Sequence, residues 1–282
     1  MNSEKYDLFF EQLHRVKKGL LMLDYDGTLA PFREDRSAAH PYPGVCQRLS
    51  QLAHDGRFRV VIISGRQLQD LKQLLRDVSP LPELWGSHGL ERLLPDGSYW
   101  KATIDGPTMR GLEEAERVCQ KLSGAPRCER KPFGVAFHFR GMDERAKEQI
   151  LTPLQKAWEA ISSPCLGIYP FDGGVELTVK DRNKGDAVRA ILKEVVEKTA
   201  VAYLGDDLTD ENAFEALGER GLKVLVIPKQ VEESVFDLAD DRILFGYRKE
   251  PRTTLADIQL TSPHELLSFF DDCLAGKNPY EK

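Results

Sequence analysis

Gly19-Leu-Leu-Met-Leu-Asp24-Tyr-Asp26-Gly-Thr-Leu29 joins an apolar run to two closely spaced aspartates. Leu20–Asp24 reads as a short buried strand, and the pair Asp24/Asp26 falls at its C-terminal tip, immediately before a turn that Gly27 permits. Ligand and reaction sites of open α/β sheets lie just outside such strand ends. Two carboxylates at one tip repel unless a cation joins them, and a divalent metal is the natural partner. The alternative is a solvated turn, where Asp and Gly are common without any function.

Working outward, strand-like and helical runs alternate through the first hundred residues. Gly44–Asp55 is expected as a helix with Val45, Leu49 and Leu52 on one face, then Arg59–Ile63 as a strand, Gln67–Asp77 as a helix and Leu84–Ser87 as a strand. Such alternation predicts βαβ units and a parallel sheet. Leu93–Trp100 reads as a hairpin turning on Asp96-Gly97. The middle differs. A helix over Pro107–Ser123 precedes strands Pro126–Arg130 and Phe133–Arg140, and a helix over Asp143–Ser162 precedes strands Leu166–Pro170 and Val175–Lys180. Helix–strand–strand twice over predicts an inserted α+β unit of roughly 70 residues. Alternation then resumes: helix Lys184–Lys198, strand Ala200–Leu204, helix Asp210–Leu217, strand Leu222–Ile227 and a last helix over Pro263–Cys273. The expected fold class is therefore α/β, a Rossmann-like doubly wound parallel core over 1–105 and 180–282, with a cap inserted over 106–179.

Composition narrows the function. With 41% apolar and 30% charged residues, the chain can bury a sizeable core. A formal charge of −6 argues against nucleic acid or an anionic membrane as the main partner. The five cysteines are odd in number and contain no C-x-x-C pair, which fits free thiols in the cytoplasm better than a disulfide framework or a zinc site. Met1–Lys18 is polar and charged, and no segment approaches the ~18 apolar residues of a membrane span.

Three further motifs follow strands. Val60-Val-Ile-Ile-Ser64-Gly65-Arg66 ends in a serine whose hydroxyl, with the following N–H groups, can hold an anion at a helix start, or simply cap that helix. Arg66 can bind an anionic substrate or lie on the surface. Arg182-Asn-Lys184-Gly-Asp186 puts a lysine at the helix end where acids are preferred, so Lys184 needs a compensating partner such as phosphate and Asp24. Tyr203-Leu-Gly-Asp206-Asp207-Leu-Thr-Asp210 crowds three carboxylates after a strand. Asp206 is the best direct metal ligand; Asp207 and Asp210 can act through water or orient neighbours, and Asp210 can equally be a helix cap. Gly27 can turn backbone N–H groups toward a phosphate, and Thr28 can cap the turn after it. A nucleophile, an acid/base, an anion cradle, a lysine and metal carboxylates on one sheet edge are what phosphoryl transfer requires.

In order and spacing, Asp24-Tyr-Asp-Gly-Thr-Leu, Ser64-Gly-Arg, Lys184-Gly and Gly205-Asp-Asp-x-x-Asp210 resemble the four motifs of the haloacid dehalogenase-like hydrolases. Gly86-Ser-His-Gly89, Glu129-Arg-Lys131, His138-Phe-Arg140 and Glu176 resemble the trehalose-6-phosphate phosphatases more narrowly. The resemblance implies a Mg²⁺-dependent phosphoric monoester hydrolase acting on a small sugar phosphate through an aspartyl-phosphate intermediate. Asp24 is then nucleophile and metal ligand, Asp26 acid/base with its backbone carbonyl on the metal, and Asp206 the third protein ligand. Ser64, Gly65 and Arg66 serve the phosphate, while Glu129, Lys131, Arg140 and Glu176 contact sugar hydroxyls. Asp172 departs from a lysine that some members carry. A cytoplasmic monomer paired in function with a trehalose-6-phosphate synthase is expected. The shared motifs suit a sucrose phosphate or mannosylglycerate phosphate equally well. A non-enzymatic phospho-acceptor is a more distant alternative, and for it the acid/base and the cap are superfluous. Cross-strand ion pairing is the plain alternative for the cap residues, and a place in the sheet or the core for His88 and His138.

Overall fold

Residues 3–33, 35–139, 141–161, 163–171, 173–180, 182–227 and 253–276 are described by a computed structural model of the chain. Arg140 and Asp172, each singled out in the sequence, lie outside the described residues. The chain divides into two compact units, Met1–Trp100 with Asn183–Lys282, and Lys101–Arg182. The junctions fall at 100/101 and 182/183, where the sequence suggested 105/106 and 179/180.

The first unit begins with a helix within the polar, charged N-terminal segment, α1 (Ser3–Val16). Tyr6, Phe9, Phe10 and Leu13 recur at helical spacing, and Phe9, Phe10 and Leu13 are buried. There follow β1 (Gly19–Leu23), α2 (Val45–His54), β2 (Phe58–Ile63), α3 (Leu68–Leu74), β3 (Glu83–Gly86), β4 (Glu91–Leu93) and β5 (Tyr99–Lys101). The second unit holds α4 (Gly106–Ser123), β6 (Cys128–Lys131), β7 (Gly134–His138), α5 (Glu144–Glu159), β8 (Leu166–Phe171) and β9 (Gly174–Val179). The chain returns with α6 (Lys184–Leu192), β10 (Ala200–Gly205), α7 (Leu208–Leu217), β11 (Leu222–Val226), β12 (Ile258–Leu260) and α8 (Pro263–Ala275).

The sheet order of the first unit is β12-β11-β10-β1-β2-β3-β4-β5. Every pair from β12 to β3 is parallel, and β4 joins β3 antiparallel. The chain leaves β1 toward β2 on one side and later comes back to β10 on the other. That reversal makes the β1/β10 crevice a topological switch point, where open α/β sheets bind ligands. Alternation along each strand builds two cores. Leu21, Leu23, Val60, Ile62, Ala202 and Leu204 pack on one face with α1, α2, α3 and α8 residues. Leu20, Met22, Val61, Ile63, Val201 and Tyr203 pack on the other with α6 and α7 residues. Leu20–Leu23 are fully buried, so β1 is the hydrophobic axis of the unit. Each such side chain contributes about 1.5–3 kcal/mol.

Several expected helix bounds change; the helix expected over Asp143–Ser162 spans Glu144–Glu159. The helix from Lys184 ends at Leu192 rather than Lys198, because the chain turns there and delivers Glu194 to Arg59 and Arg92. α3 is shorter than Gln67–Asp77, and α7 starts two residues before Asp210. β12 was not expected from the sequence; three residues carry too little pattern to be read.

In the second unit the sheet order is β6-β7-β9-β8, all antiparallel. Val135, Phe137, Val175, Leu177 and Leu166 on one face form a core with Leu112, Ala115 and Cys119 of α4 and Leu154 and Trp158 of α5. Among the described residues no helix is long and apolar enough to cross a membrane.

Candidate active site

β1 delivers Asp24 into the switch point. Its N–H donates to the Leu204 carbonyl (2.8 Å), carrying the β1–β10 ladder one residue past the strand end. The carboxylate is 3% exposed, and its Oδ1 lies 2.6 Å from Lys184 Nζ. Lys184 also donates to Asp210 Oδ1 at 2.8 Å. It is the first residue of α6, a position that should be costly for a cation. The cost is offset locally: Asn183 Oδ1 accepts from Gly185 N and Asp186 N, and the Asp186 carboxylate accepts from Asn183 N. This capping box satisfies the helix end and frees the ammonium for two carboxylates. Burial alone lowers the lysine's pKa, but Asp210 and Asp24 more than reverse this and hold it raised.

β10 delivers the second acidic group. Asp207, not Asp210, is the N-cap of α7, with its Oδ1 accepting from Leu208 N at 2.6 Å. Asp210 sits one turn in and is fully buried. Its Oδ1 accepts from Lys184 Nζ and from the Tyr203 hydroxyl (2.6 Å), and its Oδ2 from Asp206 N (3.1 Å) and Asp207 N (2.9 Å). Four donors occupy it, so the Asp210 carboxylate ties Lys184, Tyr203 and the start of α7 together. Oxygens of Asp24, Asp206 and Asp210 lie within 4.8 Å of one another. Burial and this crowding push the Asp24 carboxyl up to about 7 and hold Asp206 well above the carboxylate range. Carboxylates that repel so strongly fit a hard cation with oxygen ligands. Thr28, fully buried, places its hydroxyl 3.5 Å from Asp206 Oδ1 and supports it from the nucleophile turn.

Asp26 and Arg66 form a bidentate pair, Nε to Oδ2 at 2.7 Å and Nη2 to Oδ1 at 2.6 Å. Arg66 is 3% exposed, so it is not a surface arginine, and its fork is taken up by Asp26. Gly27 adopts φ +84, and its N–H donates to Ala30 O at 2.8 Å while Thr28 N turns back to Tyr25 O. The position also leaves space for its neighbours: a Cβ there would collide with the Asp206 carboxylate and the Phe32 ring. Ser64 does not cap a helix, because α3 begins at Leu68 behind Gln67. Its Oγ accepts from Arg66 N (3.1 Å), closing a tight turn with Gly65 at its centre. The ring of His88 packs where a Gly65 side chain would be, which accounts for that glycine. Ser87 N to Arg66 O (2.7 Å) and His88 N to Ser64 O (3.0 Å) tie the Gly86–Gly89 loop to this turn.

In the second unit, Glu129, Ala136 and Glu176 stand opposite one another across β6, β7 and β9, on the sheet face away from the core of that unit. Lys131 Nζ donates to Glu176 Oε2 at 2.7 Å, and His138 Nε2 lies 2.8 Å from Glu129 Oε2. The structure thus brings Glu129, Lys131 and Glu176 to one face, paired, with His138 among them rather than in the core.

Tyr203 escaped the sequence reading. Its position on a strand ahead of Gly205-Asp206 puts it on the α6/α7 face, where its ring packs edge-on to Phe214 (5.7 Å) and its hydroxyl reaches Asp210. A lone polar aromatic in an otherwise aliphatic run, Ala200-Val-Ala-Tyr-Leu204, was the available signal.

Residues 22–238 match the family model described as Trehalose-phosphatase. A trehalose-phosphate phosphatase of Mycobacterium marinum is 31% identical over 223 residues, covering 75% of this chain and 54% of that protein. One from Mycobacterium ulcerans is 32% identical over 221 residues, with the same coverage. The chain spans about half the length of these relatives (54%). Among solved structures, the C-terminal domain of trehalose-6-phosphate phosphatase from C. albicans superposes with a TM-score of 0.71 at 20% identity, over 95% of this chain and 96% of that one. A haloacid dehalogenase-like hydrolase from Bacteroides thetaiotaomicron gives 0.60 at 14% identity, over 90% and 98%. The fold is haloacid dehalogenase-like, and the chain belongs to the trehalose-phosphatase family.

Proposed function

We propose that this protein is a Mg²⁺-dependent phosphatase that hydrolyses trehalose 6-phosphate to trehalose and phosphate. The observation that carries the reading is the buried Asp24–Lys184–Asp210 bridge with Asp206 alongside, at the switch point between β1 and β10. Asp24 and Asp206, with the Asp26 backbone carbonyl, would hold the metal, which neutralises the crowded carboxylates and the phosphate oxygens when bound.

Asp24 Oδ attacks phosphorus while the bond to the sugar oxygen breaks, and Asp26 gives that oxygen a proton. Asp26, now a carboxylate, takes a proton from water as the water oxygen attacks the aspartyl phosphate. The Asp24–phosphorus bond breaks and phosphate leaves. Lys184 steadies Asp24 and the transferring charge, and Ser64 and Gly65 serve the phosphate. In the second unit, Glu129, Lys131 and Glu176 read sugar hydroxyls, because paired carboxylates and cations offer both donors and acceptors to vicinal hydroxyls. Arg140 is assigned with them on sequence alone. The unit acts as the cap that selects substrate. Free cysteines among the described residues support a cytoplasmic setting, where a synthase making trehalose 6-phosphate supplies the substrate.

The test is phosphate release across disaccharide and monosaccharide phosphates, with and without Mg²⁺, by wild type and Asp24→Asn. Selective, Mg²⁺-dependent release from trehalose 6-phosphate, lost in a folded Asp24→Asn protein, is expected. A flat substrate profile refutes the sugar assignment, and an active Asp24→Asn refutes the nucleophile.

A further inference from the structure

The two carboxylates at the tip of β1 have separate cations of different kinds. Asp24 has an ammonium, a point charge that it shares with Asp210. Asp26 has a guanidinium fork, which fixes the plane of the carboxylate as well as its charge. The fork is itself held on every side. Nη1 donates to Arg36 O at 2.7 Å, and the guanidinium carbon lies 5.5 Å from the centroid of the Tyr25 ring. Tyr25 in turn is anchored through its hydroxyl to Ala39 O at 2.7 Å. The Arg66 main chain is tied at both ends, its N–H to Ser64 Oγ and its carbonyl to Ser87 N. Asp26 keeps 24% of its side chain exposed, whereas the arginine keeps 3%. The group that can reach solvent is the carboxylate, and the group that immobilises it is out of reach.

We propose that Arg66 is a positioning residue that sets the rotamer and plane of Asp26, and not a ligand of the substrate's phosphate. This rests on the phosphatase reading above and concerns how Asp26 is aimed within it. A lysine at position 66 would keep the charge but not the fork, so Asp26 would turn about its own bonds. Misplacement of a reacting group on that scale costs on the order of 10²-fold in rate.

The experiment is a double-mutant cycle of Arg66→Lys and Asp26→Asn, read as kcat/KM on trehalose 6-phosphate and on p-nitrophenyl phosphate. The sugar oxygen needs a proton to depart and p-nitrophenolate does not. Arg66→Lys should therefore lose about 10- to 100-fold on the sugar phosphate and less than about threefold on the aryl phosphate. In the Asp26→Asn background, where there is no carboxylate left to aim, Arg66→Lys should change kcat/KM on trehalose 6-phosphate by less than about twofold. The thermal shift produced by inorganic phosphate should be the same in Arg66→Lys and wild type. Equal losses on both substrates, an undiminished effect in the Asp26→Asn background, or a lost phosphate-induced shift each overturn the proposal in favour of a phosphate ligand. If Arg66→Lys fails to fold, Arg66→Met enters the cycle in its place. A wild-type protein inactive on both substrates refutes the phosphatase reading itself, and an active one with uncoupled variants refutes only the role of Arg66.

Discussion

Tyr203→Phe removes one hydrogen-bond donor from the buried core of the site and no carbon atom. The phenol lies wholly inside, and burial together with the Asp210 charge holds its pKa well above the usual tyrosine value, so it serves as a donor throughout the accessible pH range. Asp210 Oδ1 is left with Lys184 alone, while Oδ2 keeps both backbone donors. The ring packing on Phe214 survives, so no cavity term enters. A hydrogen bond to a charged group contributes about 1.5–3 kcal/mol. A unit of this size shifts its Tm by roughly 2–4 °C per kcal/mol, which predicts a drop of about 3–12 °C. Thermal unfolding followed by circular dichroism measures it directly, with Tyr203→Leu as a control that adds the packing loss. A Tm for Tyr203→Phe within about 1 °C of wild type would show that the hydroxyl adds nothing to the stability of the site. Lys184 and the two amides would then satisfy the carboxylate by themselves.

Gly27→Ala tests the space the nucleophile turn leaves for Asp206. Its side chain meets both the Asp206 carboxylate and a φ of +84, so a loss of at least about 1 kcal/mol in stability and of metal-dependent activity is expected. Urea unfolding within about 0.3 kcal/mol of wild type would count against that close approach. Glu176→Ala removes the partner of Lys131, and should lower kcat/KM for sugar phosphates at least about tenfold while leaving p-nitrophenyl phosphate within about twofold. Equal loss on both substrates would deny it a role in reading the sugar.

The parts legible in the sequence share one property: each depends on neighbours within a few residues. Apolar strands of period two, the glycine after Asp26 and the acidic cluster after Tyr203-Leu-Gly are local patterns, and in the structure they stand at the ends of adjacent parallel strands. α1 was equally local and was passed over, because the charged residues of Met1–Lys18 masked Tyr6, Phe9, Phe10 and Leu13 at helical spacing. Where the backbone N–H groups near Gly27 and Ser64 go is not legible in the sequence: Gly27's donates within its own turn, and α3 begins beyond Ser64, which is therefore not its cap.

The order of motifs, and with it the family and the set of groups available for chemistry, is written along the chain. How those groups pair is a matter of the folded arrangement. Asp26 and Arg66 are 40 residues apart, and Lys184 and Asp210 are 26 apart. They meet because β1 lies between β2 and β10 in a parallel register that aligns Leu23 with Ile62 and Leu204. A fork on one aspartate and a shared ammonium on the other are consequences of that register and of burial. Coulomb attraction and hydrogen bonding fall off over a few ångströms, so partner choice is settled by distance in space, on which spacing along the chain is silent.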